Sequence, residues 1–108
     1  MVYSIAEIKK IVLPIVQKYH IPALYLFGSY ARGEATEESD LDFLVDTTGT
    51  NITSLIGLGS LYCDLSEAFG KRIDLVTVRA FMCDSNWESD RNFKEAIMKE
   101  RVKLYDVA

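Results

Sequence analysis

The chain has 108 residues, a length that supports one hydrophobic core and one domain over residues 1–108. Its composition, 49% hydrophobic and 26% charged, is that of a soluble globular protein, and no apolar run approaches the roughly 20 residues that span a bilayer, which argues against a membrane-embedded role. A net charge of −4 and a pI near 4.9 argue against a long nucleic-acid substrate, because that affinity comes from Lys and Arg displacing counterions from phosphates.

The first residues lack both the basic segment and the continuous apolar run of a signal peptide, so a cytoplasmic location is expected. Cys63 and Cys83 lie 20 positions apart, with no Cys-x-x-Cys and a single histidine in the chain. This predicts free, largely buried thiols and neither a zinc site nor a redox pair.

In chain order, Ser4 and Glu7 have the spacing of a capping box, and Ile5, Ile8, Val12, Ile15, Val16 and Tyr19 follow at helical intervals. A helix over about 4–19 is predicted, with Pro14 expected to kink it or break it in two. Ala23 to Phe27 reads as a buried strand ending at Gly28. Residues 29–33 suit a short helix, 34–39 an exposed loop, and Asp40 to Val45 a second strand. Asn51 or Thr53 can cap a second long helix whose stripe is Leu55, Leu58, Tyr62, Leu65 and Phe69, widened by Ile52 and Ile56, and Gly70 stops it. Arg72 to Val78 reads as a third strand, 89–101 as a helix and Val102 to Tyr105 as a last extended piece. The dozen or so residues between the first two strands are too few for a full crossover, whereas the helix before the third permits one. A mixed α+β sheet flanked by helices, in two or three layers, is the expected fold.

The stretch that carries chemistry is Gly28-Ser29, ten residues, then Asp40-Leu41-Asp42. Side chains alternate along a strand, so Asp40 and Asp42 face one side while Leu41 and Phe43 face the core. Two carboxylates so close repel unless a cation lies between them or one is protonated, and Mg²⁺ with hard oxygen ligands suits that place. Gly28 lets the backbone come close, and Ser29 offers an N–H and a hydroxyl to phosphate. Asp74, flanked by apolar Ile73 and Leu75, joins them if the third strand lies beside the second. The three would then hold two metal ions, one activating an attacking hydroxyl and the other steadying a triphosphate whose α-phosphate is attacked with loss of pyrophosphate.

Gly28-Ser29-Tyr30-Ala31-Arg32-Gly33 through Ser39-Asp40-Leu41-Asp42-Phe43-Leu44-Val45, with Phe69-Gly70-Lys71-Arg72-Ile73-Asp74-Leu75-Val76, resembles the signature of the DNA polymerase beta-like nucleotidyltransferases, in particular their minimal branch. The resemblance implies an α+β fold with a mixed sheet, ATP as AMP donor, Mg²⁺, and service as antitoxin to a HEPN-domain toxin. A tyrosine of that toxin is the implied acceptor. Catalytic and metal-holding roles then fall to Asp40, Asp42 and Asp74, and nucleotide binding to Gly28 and Ser29, with Arg32 and Ser39 as further candidates. Phe43 stands where the family more often has an aliphatic residue, a difference of packing.

Arg32 can instead pair with Glu34, and Ser39 can simply steady the loop into Asp40. His20 at a helix end, Asp46 at a turn, and Asp84, Trp87, Glu88 and Asp90 in a charged stretch are not expected to do chemistry. Two other functions fit the same residues: nucleotidylation of a small molecule, with a partner subunit supplying the acceptor site, or neutralisation of a toxin by binding alone.

Overall fold

The structure, a computed structural model, describes residues 2–50, 52, 55–78 and 99–106. Its elements are α1 (Ile5–Lys18), β1 (Ala23–Phe27), α2 (Gly28–Arg32), β2 (Leu41–Asp46), α3 (Leu55–Phe69), β3 (Ile73–Thr77) and β4 (Val102–Asp106).

The capping box at the start of α1 forms as the sequence predicts. The Glu7 N–H donates to Ser4 Oγ at 3.1 Å, and the Ser4 N–H donates to Glu7 Oε1 at 2.9 Å. The break expected at Pro14 does not occur: α1 is one helix through it. Pro14 is on the exposed side, where water can take the carbonyl bond that proline leaves unmade. The buried stripe of Ile8, Val12 and Val16, each contributing about 1.5–3 kcal/mol by burial, holds the helix to the sheet whatever the proline costs.

α1 closes with His20 at φ 56, in the left-handed region. The His20 N–H donates to the Gln17 carbonyl and the Ile21 N–H to the Val16 carbonyl, the paired bonds of a Schellman end. Glycine fits that conformation without a Cβ clash, so His20→Gly is expected to raise stability by about 0.5–1 kcal/mol. Urea unfolding at constant m-value measures this, and a lower midpoint would show that the imidazole makes a compensating contact.

The sheet order is β3-β2-β1-β4. β1 pairs antiparallel with β2 and with β4, and β2 pairs parallel with β3 through α3, so the short link gives a reversal and the helical link a crossover. Helices α1 and α3 cover one face. Leu24, Leu26, Leu41, Phe43, Val45 and Ile73 meet Ile8, Val12, Val16, Leu61, Leu65 and Phe69 there. Phe43 lies against Phe69, with ring centroids 5.7 Å apart, and Tyr3 meets Phe69 edge-on and donates its hydroxyl to the Phe69 carbonyl at 2.7 Å. The opposite face carries the alternate side chains: Leu44 with Tyr25, Phe27, Val76 and Val78, and the aspartates.

Three expectations need correction. The stripe of α3 runs through Leu58, Leu61, Leu65 and Phe69, while Tyr62 and Ile56 are exposed, Ile56 at 83%. Leu61 and Tyr62 both satisfy helical spacing, and the core takes the one without a hydroxyl to bury. Cys63 is exposed on the same outer side of α3 and is a free thiol, not a buried one. β2 begins at Leu41, which leaves Asp40 just outside the strand. The predicted caps at Asn51 and Thr53, together with Cys83, Asp84, Trp87, Glu88, Asp90 and most of the helix predicted over 89–101, lie outside the described residues. Among the described residues no helix is long and apolar enough to cross a membrane.

Candidate active site

Two facts of the sheet assemble the site. In the register of β2 with β3, Asp42 stands opposite Asp74, and in that of β1 with β2, Phe27 stands opposite Asp42. Register partners project from the same face. The buried neighbours Leu41, Phe43 and Ile73 take the core side, which leaves both carboxylates on the other. The pairing is pinned at its start by a 3.3 Å bond from the Leu41 N–H to the Arg72 carbonyl.

Gly28 follows Phe27 at φ +76 and brings the chain directly against Asp42. A Cβ built there would overlap Asp42 Oδ2 and lie 3.1 Å from its Cγ. Glycine is therefore required twice, for the left-handed backbone and for the space. α2 starts from this turn, and Phe27, its N-cap, has no side-chain bond to give it. Ser29, partly buried, sits in the first turn of α2, next to Gly28.

Burial above all pushes the Asp42 carboxyl up, to about 7 from its ordinary 3.8; a hydrogen bond with Asp74 and the charges of Asp74 and Asp40 push the same way, and Arg32 opposes them. The site thus has more negative charge than it can hold ionised. A divalent cation would supply what is missing, so the donor set fits one. Among the described residues no three His, Cys, Asp or Glu side chains close into an ion cage. An opposed pair with Asp40 alongside is an open half-site, suited to an ion such as Mg²⁺ that keeps places for phosphate oxygens.

The remaining candidates are placed less directly. Arg32 acts electrostatically on Asp42, but its guanidinium pairs with Glu34 at 3.0 Å and Glu100 at 3.2 Å. Ser39 Oγ accepts the Thr36 N–H at 2.8 Å and lies 3.3 Å from Thr36 Oγ, closing the loop that delivers Asp40. Asp46 accepts the Thr48 N–H at 2.9 Å, a turn bond. The sequence does not single out Lys71, whose Nζ donates to the hydroxyl of Tyr30, the neighbour of Ser29, at 2.8 Å. Contacts across 41 positions leave no periodic trace to read.

Comparison with known proteins agrees with this geometry. Residues 9–107 match the family described as polymerase beta, nucleotidyltransferase. A relative from Methanocaldococcus jannaschii, provisionally named a protein adenylyltransferase, is 40% identical over 74 residues, 68% of this chain and 77% of the relative. A solved structure provisionally identified as a minimal nucleotidyltransferase superposes with a TM-score of 0.64 at 26% identity, over 93% of this chain and 95% of that one. A variant of the MntA-HpeT toxin-antitoxin pair superposes with a TM-score of 0.62 at 25% identity, over 97% of this chain and 74% of that one. With the opposed aspartates set against a Gly-Ser turn, on the mixed four-stranded sheet those structures share, the chain belongs to the polymerase beta nucleotidyltransferase family.

Proposed function

We propose that this chain transfers AMP from ATP to a hydroxyl of a protein partner, a tyrosine of a HEPN toxin, and neutralises the toxin by that modification. The observation that carries the reading is the Asp42 and Asp74 pair, opposed across two strands and set against Gly28. The toxin partner is supported by the similarity to MntA-HpeT, and AMP by the adenylyltransferase relative.

In this reading Asp40, Asp42 and Asp74 would hold Mg²⁺, two ions when ATP is present. Bound there, Mg²⁺ would supply charge stabilisation to the triphosphate and to the attacking oxygen. Ser29 and the first turn of α2 orient the phosphates beside Asp42. Asp74, the most exposed of the three, takes the proton of the acceptor hydroxyl on a carboxylate oxygen. The freed electron pair on the hydroxyl oxygen forms the new bond to the α-phosphorus, the bond to the β-phosphate bridge breaks, and pyrophosphate leaves. Gly28 keeps the backbone close to the reacting phosphate, and Arg32 can meet its charge by exchanging Glu34 and Glu100 for it.

The test incubates the chain with ATP, Mg²⁺ and a HEPN toxin, then reads the toxin's mass and its residual activity. Substoichiometric chain should add AMP to the toxin and silence it. Silencing only at equimolar ratio with no change of mass would replace transfer by occlusion. Ser29→Ala is expected to weaken ATP binding by about 1–3 kcal/mol with the fold intact, as for a lost hydrogen bond to a charged acceptor. Calorimetry decides, and unchanged affinity would reduce the Gly-Ser turn to a turn.

A further inference from the structure

We propose that Lys71, anchored on Tyr30, is a positioning residue that fixes the spacing between the Gly28-Ser29 turn, the loop leading to Asp40 and the strand that bears Asp74. The inference rests on the function proposed above for these three parts. Its basis is that the Lys71 ammonium touches Tyr30 beside the turn and Glu37 in the loop, from a backbone position three residues before Asp74.

Lys71 follows Gly70, the left-handed glycine at φ 63 that ends α3, and precedes Asp74 by three residues. Its Nζ donates to the Tyr30 hydroxyl at 2.8 Å, lies 5.1 Å from the Tyr30 ring centroid and reaches the Glu37 carbonyl at 3.5 Å. Tyr30 stands next to Ser29 on α2 and is 4% exposed, with its ring in the core. Only its hydroxyl has a polar errand, and Lys71 meets it. Glu37 belongs to the loop between α2 and β2, two residues before the Ser39 lock and three before Asp40. The Lys71 backbone is held in turn, since its carbonyl accepts the Ser66 hydroxyl at 3.5 Å.

α2 has only five residues, too short to hold its own position by helical cooperativity. The loop from 33 to 40 contributes no strand. Both need an external brace if phosphate and metal ligands are to stay in register, and misplacement of about 1 Å is enough to cost ~10²-fold in a reaction. Lys71 is held by the Tyr30 hydroxyl and the Glu37 carbonyl, so the role proposed for it is geometric.

The experiment measures how strongly Mg²⁺ and nucleotide support each other's binding. A non-hydrolysable ATP analogue is titrated by calorimetry with Mg²⁺ and with EDTA, for wild type, Lys71→Met, Tyr30→Phe, the double variant and Lys71→Arg, with thermal melts to confirm folding. Wild type should bind the analogue at least ~10-fold more tightly with Mg²⁺. Lys71→Met and Tyr30→Phe should keep the EDTA affinity within about twofold and lose most of the Mg²⁺ enhancement, and the double variant should be no worse than either single. Lys71→Arg should retain most of it. If folded Lys71→Met keeps the full enhancement, or the two losses multiply in the double variant, the brace is refuted while the proposed function stands. If wild type binds no nucleotide, the proposed function fails and the brace with it.

Discussion

Asp42→Asn is expected to slow AMP transfer by at least ~10²-fold and, in the same variant, to make the metal-free protein more stable at neutral pH. The two effects have one cause. Asp42 is half-buried beside Asp74, with its carboxyl pushed up to about 7 from 3.8 by burial and then by its acidic neighbours. Between about pH 4 and pH 7 the folded chain therefore keeps a proton that the unfolded chain has released. The folded state binds more protons in that window, so this group's contribution to stability falls as pH rises through it. The penalty is absent below about pH 4 and complete above about pH 7. After allowance for solvent at a group only partly buried, it amounts to ~1–3 kcal/mol. Asparagine removes it, so the gain in midpoint of Asp42→Asn over wild type should be near zero at acid pH and grow toward pH 8. Mg²⁺ with ATP should stabilise the wild type and not the variant. Urea titrations at several pH values, paired with a transfer assay, check both halves. A variant less stable than wild type at pH 8 would mean that Asp42 is a structural residue, satisfied where it stands.

A local contradiction is what makes the candidate site legible in the sequence. An aspartate on an apolar strand is a local contradiction, and at Asp42 and Asp74 the contradiction is visible without coordinates because Leu41, Phe43, Ile73 and Leu75 flank them. Strand alternation then gives the face, and the length of each link gives the sense of pairing. What alternation cannot give is register. Asp42 opposite Asp74 depends on where α3 ends, and Gly70 and the Leu41 to Arg72 bond set that. The corrections follow the same line. Leu61 and Tyr62 tie on periodicity, and the cost of burying the Tyr62 hydroxyl in the core breaks the tie. Pro14 looks like a helix breaker by local rules, but the stripe through Ile8, Val12 and Val16 keeps both halves on the sheet. Lys71 and Tyr30 were out of reach because their contact joins distant segments through one hydrogen bond, and nothing in spacing announces it.

Asp74→Asn separates binding from turnover. Asp74 is more exposed than Asp42 and, among the described residues, stands at the outer side of the pair on the edge strand of the sheet. Asparagine keeps the shape and one oxygen but cannot take a proton. ATP should still bind through Asp40, Asp42 and the Gly-Ser turn, with affinity within about tenfold of wild type, while transfer falls by at least ~10²-fold, the scale for a missing general base. The loss should appear in kcat more than in KM for ATP, since asparagine keeps an oxygen for the metal and loses the base that acts as the hydroxyl attacks. The measurement pairs calorimetry of the ATP analogue with single-turnover transfer to the toxin, followed by intact mass. Equal losses in affinity and rate would make Asp74 a plain metal ligand. A variant that silences the toxin as well as wild type does, at equimolar ratio and without added mass, would show that this chain neutralises by covering its partner and that the aspartates serve another purpose.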